Sequence, residues 1–316
     1  MTLTGFVLLY IVATIAIGVI AASRVKNTSD FALAGRSLPL PMVITATFAT
    51  WFGSETILGL PGRFIESGIA GVIEEPFGSG MALILVGTFF AHKLYKQNIL
   101  TLGDYYRDRY GRSVELLCSV AIVISYLGWV GAQVTALGLV INLITEGAVS
   151  MTTGMVIGAA VVLAYTMVGG MWSVAMTDFV QMIVIVVGLV AILWFATDLA
   201  GGMDKVVDYA RGRDLFHAFP EPTTTGWLFW ISAAMTMMIG SIPQQDVFQR
   251  VMSAKNLPTA VAGPILGGSF YILFAFVPMF IVVAAILVMP DAAEKMLSED
   301  PQQLLPTLVR DYMPMW

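Results

Sequence analysis

The sequence predicts an all-helical protein that crosses a lipid bilayer several times. Of its 316 residues, 58% are hydrophobic and 12% are charged, whereas about a quarter of the residues in an ordinary soluble domain are charged. The apolar residues fall in long blocks, and about 20 consecutive apolar residues are enough for a membrane-spanning helix. Ten-residue segments of alternating polarity, which are typical of a transmembrane barrel, do not occur in the sequence.

Eight apolar segments are candidates for membrane spans. They cover residues 3–22, 38–60, 68–92, 118–143, 151–168, 172–197, 226–249 and 264–289. The first segment has no basic stretch before it and no small-residue cleavage site after it, so we interpret it as a retained helix. The one cysteine, Cys118, excludes a disulfide framework. We therefore treat residues 1–316 as a single transmembrane domain.

The linkers between these segments alternate in charge. Lys and Arg are concentrated in the linkers 23–37, 93–113 and 250–263. Asp and Glu are concentrated in the linker 198–225 and after residue 290. Because cytoplasmic loops hold the excess of Lys and Arg, the pattern predicts that the basic linkers are cytoplasmic and that the N-terminus is outside. We expect a plasma-membrane protein, in a bacterial inner membrane.

Two of the spans contain residues that weaken a helix. Gly53-Ser54 interrupts TATFATWFGSETILGLPG, and Gly240 with Pro243 interrupts MTMMIGSIPQQDVFQR. Proline removes a backbone donor, and glycine has low helix propensity. In lipid, each freed backbone group needs a partner inside the protein or in a wet cavity. The two interruptions therefore predict buried backbone that binds a ligand.

The spacing of the broken spans is also informative. If the first span is set aside, they are the first and the sixth of the remainder. Two repeats of five helices, each opening with a discontinuous helix, are typical of an inverted-repeat transporter. We expect an extra helix at 3–22, a first repeat over 38–197 and the start of a second over 226–316. Two independent kinks in an arbitrary bundle are the alternative.

Four stretches resemble the sodium/solute symporter family. They are ATWFGSETILGLPG, TLGDYYRDRYG, TMVGGMWSVAMTDFVQ and IPQQDVFQRVMSAKN. Within the family, the chain is similar to the choline-transporter branch. The resemblance implies a LeuT-like inverted-repeat fold and sodium-coupled symport by alternating access. Family members continue for several more helices, so the chain resembles the N-terminal portion of a member, and transport by this portion alone is not expected.

The resemblance also implies two binding sites. The carbonyl groups of Ala49 and Phe52 correspond to sodium ligands. Trp51 and Trp129 correspond to aromatic residues around an ammonium group, and a desolvated cation over an indole ring gains about 2 kcal/mol. Gln133 lies four residues after Trp129, on the same helical face. Ordinary core or interfacial packing is the alternative for both tryptophans.

Glu55 is the least expected residue of the first broken span. A charged carboxylate at the centre of a membrane helix costs on the order of 3 kcal/mol. We expect Glu55, four residues after Trp51 and next to the break at Gly53, to face a cavity and to meet a cationic group of the solute or the coupling ion. A protonated Glu55 that is hydrogen-bonded to freed backbone is the alternative.

Gln244 and Asp178 complete the predicted site. Gln244 stands at the second break, where the choline-like branch has a tryptophan, and is assigned to the solute site. Asp178 matches a carboxylate that is widespread in the family and is assigned to the ion pathway. Capping of a helix start together with Thr177 is the alternative for Asp178.

The sequence thus predicts sodium-coupled symport of a small organic solute of the cationic or zwitterionic class. No nucleotide-binding loop, HExxH motif or cysteine pair is present, so we expect no enzyme, no catalytic residues, no cofactor and no metal beyond Na⁺. The expected partners are the solute, sodium and the bilayer, without nucleic acid, and the oligomeric state stays open. A proton-coupled symporter acting through Glu55, and a symporter-like sensor domain of a signalling protein, are the alternatives.

Overall fold

A computed structural model describes residues 3–313, and these residues are almost entirely helical. Residues 1, 2 and 314–316, the last of which end the predicted second-repeat segment, lie outside the described residues. The α-helices are α1 (Leu3–Ala22), α2 (Thr28–Leu33), α3 (Leu40–Trp51), α4 (Leu60–Ser67), α5 (Ser79–Leu85), α6 (Ala91–Gln97), α7 (Leu102–Tyr110), α8 (Arg112–Ile144), α9 (Met151–Leu199), α10 (Met203–Gly212), α11 (Thr224–Gly240), α12 (Gln245–Met252), α13 (Leu257–Phe274), α14 (Phe276–Val288), α15 (Pro290–Glu299) and α16 (Leu304–Tyr312).

Short helices of other types connect several of these elements. The π-helical segments are Glu55–Gly59, Ile73–Gly78 and Val86–Phe90, and the 3₁₀ segments are Ala34–Arg36, Ile69–Val72 and Pro301–Gln303. The only β-pairing within the described residues is an isolated parallel bridge between Leu38 and Ala254. The prediction of an all-helical chain is therefore confirmed.

The described residues contain five helical segments that are long and apolar enough to cross a membrane, or six if the bent pair α11–α12 is one span. Helix α9 has 49 residues and, at about 1.5 Å per residue, is more than twice as long as a bilayer core of roughly 30 Å. At Gly170 its backbone leaves the helical region (φ 49°, ψ −139°). With α9 as two spans and the interrupted stretch from α3 to α4 as another, the described residues accommodate the eight predicted segments.

Both predicted helix breaks are present. Helix α3 ends at Trp51, and regular α-helix resumes only at Leu60 after a π-helical segment. Helix α11 ends at Gly240, α12 begins at Gln245, and their axes differ in direction by 46°. The weak helix propensity of glycine and the missing donor of proline account for both positions.

A third break lies at Glu75, which the sequence places near the start of an ordinary span. Here the backbone of Glu75 is extended (φ −139°, ψ 125°) in front of Pro76. The ring of a proline disfavours helical dihedral angles in the residue before it, so the break has a local cause. It brings the side chain of Glu75 into the interior, where 8% of the residue is exposed.

The chain divides into two compact units, and the first contains residues up to Thr50, Leu83–Met182 and Ser241–Gly268. In this unit the guanidinium of Arg36 lies 4.0 Å from the ring centre of Tyr95 and donates to the Tyr95 carbonyl oxygen (2.7 Å). The Tyr95 hydroxyl donates to the Ala254 carbonyl oxygen (2.8 Å). The three basic linkers therefore pack together within this unit.

The second unit contains Trp51–Ala82, Ile183–Gly240 and the residues from Ser269 on. Helix α14 lies in the core of this unit, and its residues from Ile281 to Ala285 are exposed by 2% or less. The amide groups of Ile69 and Ala70 donate to the carbonyl oxygens of Leu215 and His217, at 2.9 Å each. The acidic linker 198–225 thus belongs to the unit that also holds the acidic segment after residue 290.

We expect Gly170→Ala to destabilise the protein strongly. A Cβ atom at this position would lie 2.3 Å from the carbonyl oxygen of Phe31, and a non-glycine residue in a backbone conformation of this kind costs about 1–3 kcal/mol before the clash is counted. Thermal unfolding of the purified protein in detergent measures the loss. Gly188→Ala, in the same helix with open space around the new methyl group, is the matched control and should be neutral or stabilising by up to about 1 kcal/mol. Equal stabilities of the two variants would contradict this account of Gly170.

Candidate functional site

The first helix break redirects a backbone hydrogen bond. The amide of Gly53 donates to the carbonyl oxygen of Trp51 (2.9 Å) rather than to that of Ala49, its partner in a regular helix. The carbonyl group of Ala49 is thereby released from the helical ladder. Carbonyl oxygens of this kind coordinate Na⁺ in discontinuous transporter helices. The local geometry at Ala49 therefore fits the predicted role of a sodium ligand, which stays a prediction.

The aromatic residues at this break are buried to different degrees. Phe52 is 3% exposed, and its ring centre lies 6.2 Å from that of Tyr271 and 5.4 Å from that of Phe274. Trp51 is half-buried. Its indole Nε1 is inaccessible and has no hydrogen-bond partner among the described residues. The side chain of Phe52 thus anchors the break, whereas Trp51 keeps an unused donor.

A buried hydrogen-bonded cluster joins the break to two other segments. The hydroxyl oxygen of Thr56 lies 3.1 Å from the Trp51 carbonyl oxygen, 2.9 Å from Glu75 Oε1 and 3.0 Å from the Tyr271 hydroxyl oxygen. Tyr271 in turn donates to Glu75 Oε1 (2.5 Å). Thr56 and Tyr271 are fully buried. We call Thr56, Glu75 and Tyr271 the outer cluster; all three belong to the second unit.

One arginine faces three carboxylates beside the outer cluster. Arg63 Nη2 donates to Glu55 Oε1 (2.6 Å), and Arg63 nitrogens lie 4.0 Å from Glu74 Oε2 and from Glu75 Oε2. The side chain of Glu55 is 49% exposed, whereas that of Glu75 is 11% exposed. Arg63 is therefore the cation that Glu55 meets in this structure, and the predicted contact of Glu55 with a solute or coupling ion stays a prediction.

The second break is fixed by a tyrosine of α8. Gln244 occupies the position before α12 with extended backbone (φ −85°, ψ 142°). Asp246 lies two residues after Gln244. The Tyr126 hydroxyl donates to Asp246 Oδ1 (2.7 Å) and accepts from the Asp246 amide (3.1 Å). The ring of Tyr126 also meets that of Trp129 edge-on, with centres 6.4 Å apart. The elements that carry the predicted solute residues Gln244 and Trp129 are thus held together within the first unit.

Trp129 and Gln133 lie on consecutive turns of α8. The residue Trp129 is 48% exposed, and Gln133 is half-buried. Neither residue has a contact that identifies a ligand in the part of the chain that the structure describes. Their assignment to a solute site stays a prediction.

Asp178 lies inside α9 and not at a helix start. Thr177 donates from its hydroxyl to the carbonyl oxygens of Ser173 (2.8 Å) and Val174 (3.0 Å), as a threonine in a helix interior does. The capping alternative for Asp178 is therefore wrong. Arg250 and Tyr165 both lie within electrostatic range of Asp178. The predicted ion-pathway carboxylate thus belongs to a polar group within the first unit.

Three residues of this region have no role in the sequence-based prediction. Arg63 follows Glu55 by eight residues, a separation that returns to the same helical face, and this spacing could have indicated the pair. Thr56 and Tyr271 carry no local signal, because each is a single polar residue within an apolar run. Among the described residues, no group of three or more His, Cys, Asp or Glu side chains is arranged to hold a metal ion.

Comparison with known proteins identifies the family of this broken-helix bundle. A family model described as the sodium:solute symporter family matches residues 31–316. The chain belongs to this family. High-affinity choline transporter 1 of Drosophila melanogaster is 28% identical over 282 residues, which are 87% of this chain and 44% of the transporter. The corresponding Homo sapiens protein is 29% identical over 264 residues, which are 79% and 44%.

Further similarities extend to other symporters and confirm the fold. Sodium/glucose cotransporter 4 of Danio rerio is 28% identical over 302 residues, which are 88% of this chain and 45% of the cotransporter. A solved Na⁺-coupled sialic acid symporter, in a substrate-bound outward-open state, gives a TM-score of 0.81 at 19% identity over 96% of this chain and 64% of that one. The LeuT-like inverted-repeat fold and the resemblance to the choline-transporter branch are thus confirmed.

The chain spans less than half the length of the curated relatives that it matches. These relatives are transporters and not enzymes, in agreement with the expectation for this chain. Membership of the symporter family also confirms a multi-pass membrane protein.

We expect Arg63→Gln to lower the free energy of unfolding by on the order of 1–2 kcal/mol, between the values for exposed and buried ion pairs. The substitution removes the cation that three carboxylates share and leaves their mutual repulsion uncompensated. Thermal unfolding of the purified protein in detergent measures the loss. Arg211→Gln, which removes an exposed pair with Asp208 at 3.8 Å, is the control and should change stability by less than about 0.5 kcal/mol. Equal losses for Arg63→Gln and Arg211→Gln would contradict the shared-cation interpretation.

Proposed function

We propose that the protein is a secondary active transporter that couples the entry of Na⁺ to the uptake of a small organic solute by alternating access. The two helix breaks carry this proposal. A span that is interrupted at Phe52–Gly53 and another that is interrupted at Ser241–Gln244 are the features from which discontinuous-helix transporters build their central sites. The family relationship supports the same activity for the whole protein to which this chain belongs.

Under this proposal, backbone carbonyl groups at the first break bind Na⁺. The Ala49 carbonyl, which loses its helical donor, and that of Phe52 are the ligands. Asp178, in the same unit as Arg250 and Tyr165, is part of the ion pathway. One Na⁺ that enters down 100 mV supplies about 2.3 kcal/mol. At about 1.4 kcal/mol per decade, this supports a solute gradient of roughly fiftyfold.

We further propose that the solute is cationic or zwitterionic. Two of the relatives are named high-affinity choline transporters, and choline is an organic cation. Trp51 and Trp129 supply indole rings for a cationic group. Gly53 allows close approach to the backbone, and Gln133 and Gln244 offer amide groups. Glu55, whose carboxylate pairs with Arg63 at 2.6 Å, provides the charge that an ammonium group would meet.

The charge pattern also supports an orientation in the membrane. The three basic linkers pack in one unit, and the acidic segments belong to the other. We propose that the basic linkers are cytoplasmic and the N-terminus is outside, by the positive-inside rule. In a bacterium this membrane would be the inner membrane.

A proton-coupled symporter is the second candidate. The outer cluster and its neighbours favour it, because a nearly buried carboxyl group at a helix break can gain and lose a proton. The two candidates differ in the gradient that drives uptake.

Uptake of amines, betaines and amino acids into proteoliposomes of the full-length protein tests both candidates. With sodium and pH gradients imposed separately, we expect an inward sodium gradient to drive accumulation and a pH gradient alone to drive none. Liposomes without protein, and an equal potassium gradient, are the controls. Accumulation that is driven only by the pH gradient would contradict sodium coupling and support the proton-coupled symporter.

We expect Trp51→Ala to weaken the apparent affinity for a cationic solute about thirtyfold, the equivalent of roughly 2 kcal/mol for a desolvated cation–indole contact. The concentration dependence of uptake measures this change. Trp194→Ala is the matched control, because Trp194 is 65% exposed in a membrane-spanning helix, and it should leave the affinity unchanged. Equal affinities of the Trp51 and Trp194 variants would remove Trp51 from the solute site.

A further inference from the structure

The outer cluster contains more hydrogen-bond acceptors than hydroxyl hydrogens. Four oxygen atoms form a chain of short separations: Glu75 Oε1 to the Tyr271 hydroxyl is 2.5 Å, that hydroxyl to Thr56 is 3.0 Å, and Thr56 to the Trp51 carbonyl is 3.1 Å. Thr56 also lies 2.9 Å from Glu75 Oε1. A hydroxyl group donates one hydrogen, so Thr56 and Tyr271 supply two hydrogens to this chain of three links. The protonation state of Glu75 decides to which acceptors these two hydrogens are donated.

When Glu75 is ionised, it accepts both hydroxyl hydrogens. A carboxylate is an acceptor only, and charge-assisted hydrogen bonds are the strongest that it can form here. Thr56 and Tyr271 then both donate to Glu75 Oε1, at the observed 2.9 Å and 2.5 Å. In this state the Trp51 carbonyl keeps the amide of Gly53 and loses the hydroxyl of Thr56.

When Glu75 is protonated, the direction of donation along this chain of hydrogen bonds is reversed. With one proton taken up from water on Oε1, Glu75 donates to Tyr271, Tyr271 donates to Thr56, and Thr56 donates to the Trp51 carbonyl. All three links then carry one hydrogen each, and no covalent bond other than the new O–H changes. Only in this state does the Thr56 hydroxyl donate to the Trp51 carbonyl oxygen, across the helix break.

A proton on Glu75 reduces the electrostatic repulsion between Glu75 and the carboxylates near it. The titratable and charged groups that face it are Glu55, Glu74, Arg63 and Tyr271. Arg63 is engaged by Glu55 at 2.6 Å and remains 4.0 Å from Glu75 Oε2, beyond hydrogen-bond distance. A proton on Glu75 removes one negative charge from three carboxylates that share a single guanidinium. Glu55, half exposed and already paired, has no comparable chain within residues 3–313.

We propose that Glu75 is a proton-binding residue, and that Thr56 and Tyr271 transmit its protonation state to the Trp51 carbonyl at the first helix break. The consequence for transport rests on the proposed function, since it makes the solute and sodium site sensitive to pH. It assigns any proton dependence of the carrier to Glu75 rather than to Glu55. Tyr271 and Thr56 act here as positioning residues, through Glu75 and the backbone.

Infrared difference spectroscopy of the full-length protein in lipid, between acidic and alkaline buffer, tests the proton site without transport. We expect the wild-type protein to show the carbonyl-stretch band of a protonated carboxyl group that Glu75→Gln loses and Glu55→Gln, the matched control, keeps. Tyr271→Phe should shift the frequency of this band, because the acceptor of the Glu75 proton is removed while the residue keeps its shape. A band that persists in Glu75→Gln, or that disappears in Glu55→Gln instead, would overturn the proposal.

The pH profile of solute uptake tests the connection to the break. The amide group that Glu75→Gln introduces donates a hydrogen bond as a protonated glutamate does, so this variant should take up solute at all pH values as the wild-type protein does at acidic pH. Glu74→Gln, which removes a carboxylate that also lies 4.0 Å from Arg63 but has no place in the proposed solute site, should keep the wild-type pH dependence. Unchanged pH dependence in Glu75→Gln, with the infrared band lost, would overturn the connection and leave the proton site. Absence of sodium-driven uptake in the wild-type protein would count against the proposed function alone.

Discussion

A peptide group that leaves the helical hydrogen-bond ladder inside a bilayer must find another partner, and this constraint shapes both broken spans. Leaving such a group unpaired costs several kcal/mol in lipid. At the first break, the Trp51 carbonyl receives the amide of Gly53 and lies within reach of the Thr56 hydroxyl. At the second, the amide of Asp246 is taken by the hydroxyl of Tyr126. Each break is therefore stabilised by a particular side chain and not by packing alone.

The breaks were predictable because their causes are local. Glycine and proline weaken a helix wherever they stand, so Gly53 and Pro243 could be interpreted without any knowledge of their surroundings. The break at Glu75 has an equally local cause in Pro76, yet it escaped prediction. Proline is common in the first turn of a helix, and two acidic residues before it suggest a helix start at the membrane surface. The structure distinguishes the two situations by the extended backbone of Glu75.

The partners of the site residues could not be predicted from the sequence. Thr56 and Tyr271 are 215 residues apart, and each is one polar residue among apolar neighbours, so no periodicity links them. Glu55 was recognisable as an anomaly, because its charge is costly at that depth, but the sequence alone did not identify Arg63 as its partner. Family resemblance placed the aromatic and amide residues in the chain, whereas the hydrogen bonds around them depend on how separate helices pack.

The first break offers two chemically different places for a cation. Neutral carbonyl oxygens, such as that of Ala49, suit an alkali ion, because they solvate it without adding charge to the membrane interior. A carboxyl group such as that of Glu75 suits a proton, because binding removes its charge there. The Trp51 carbonyl lies between them in the chain, two residues from Ala49 and bonded to Thr56. Under our proposals, a sodium ion and a proton therefore act on the same few peptide groups, and each can change how readily the other binds without sharing a ligand.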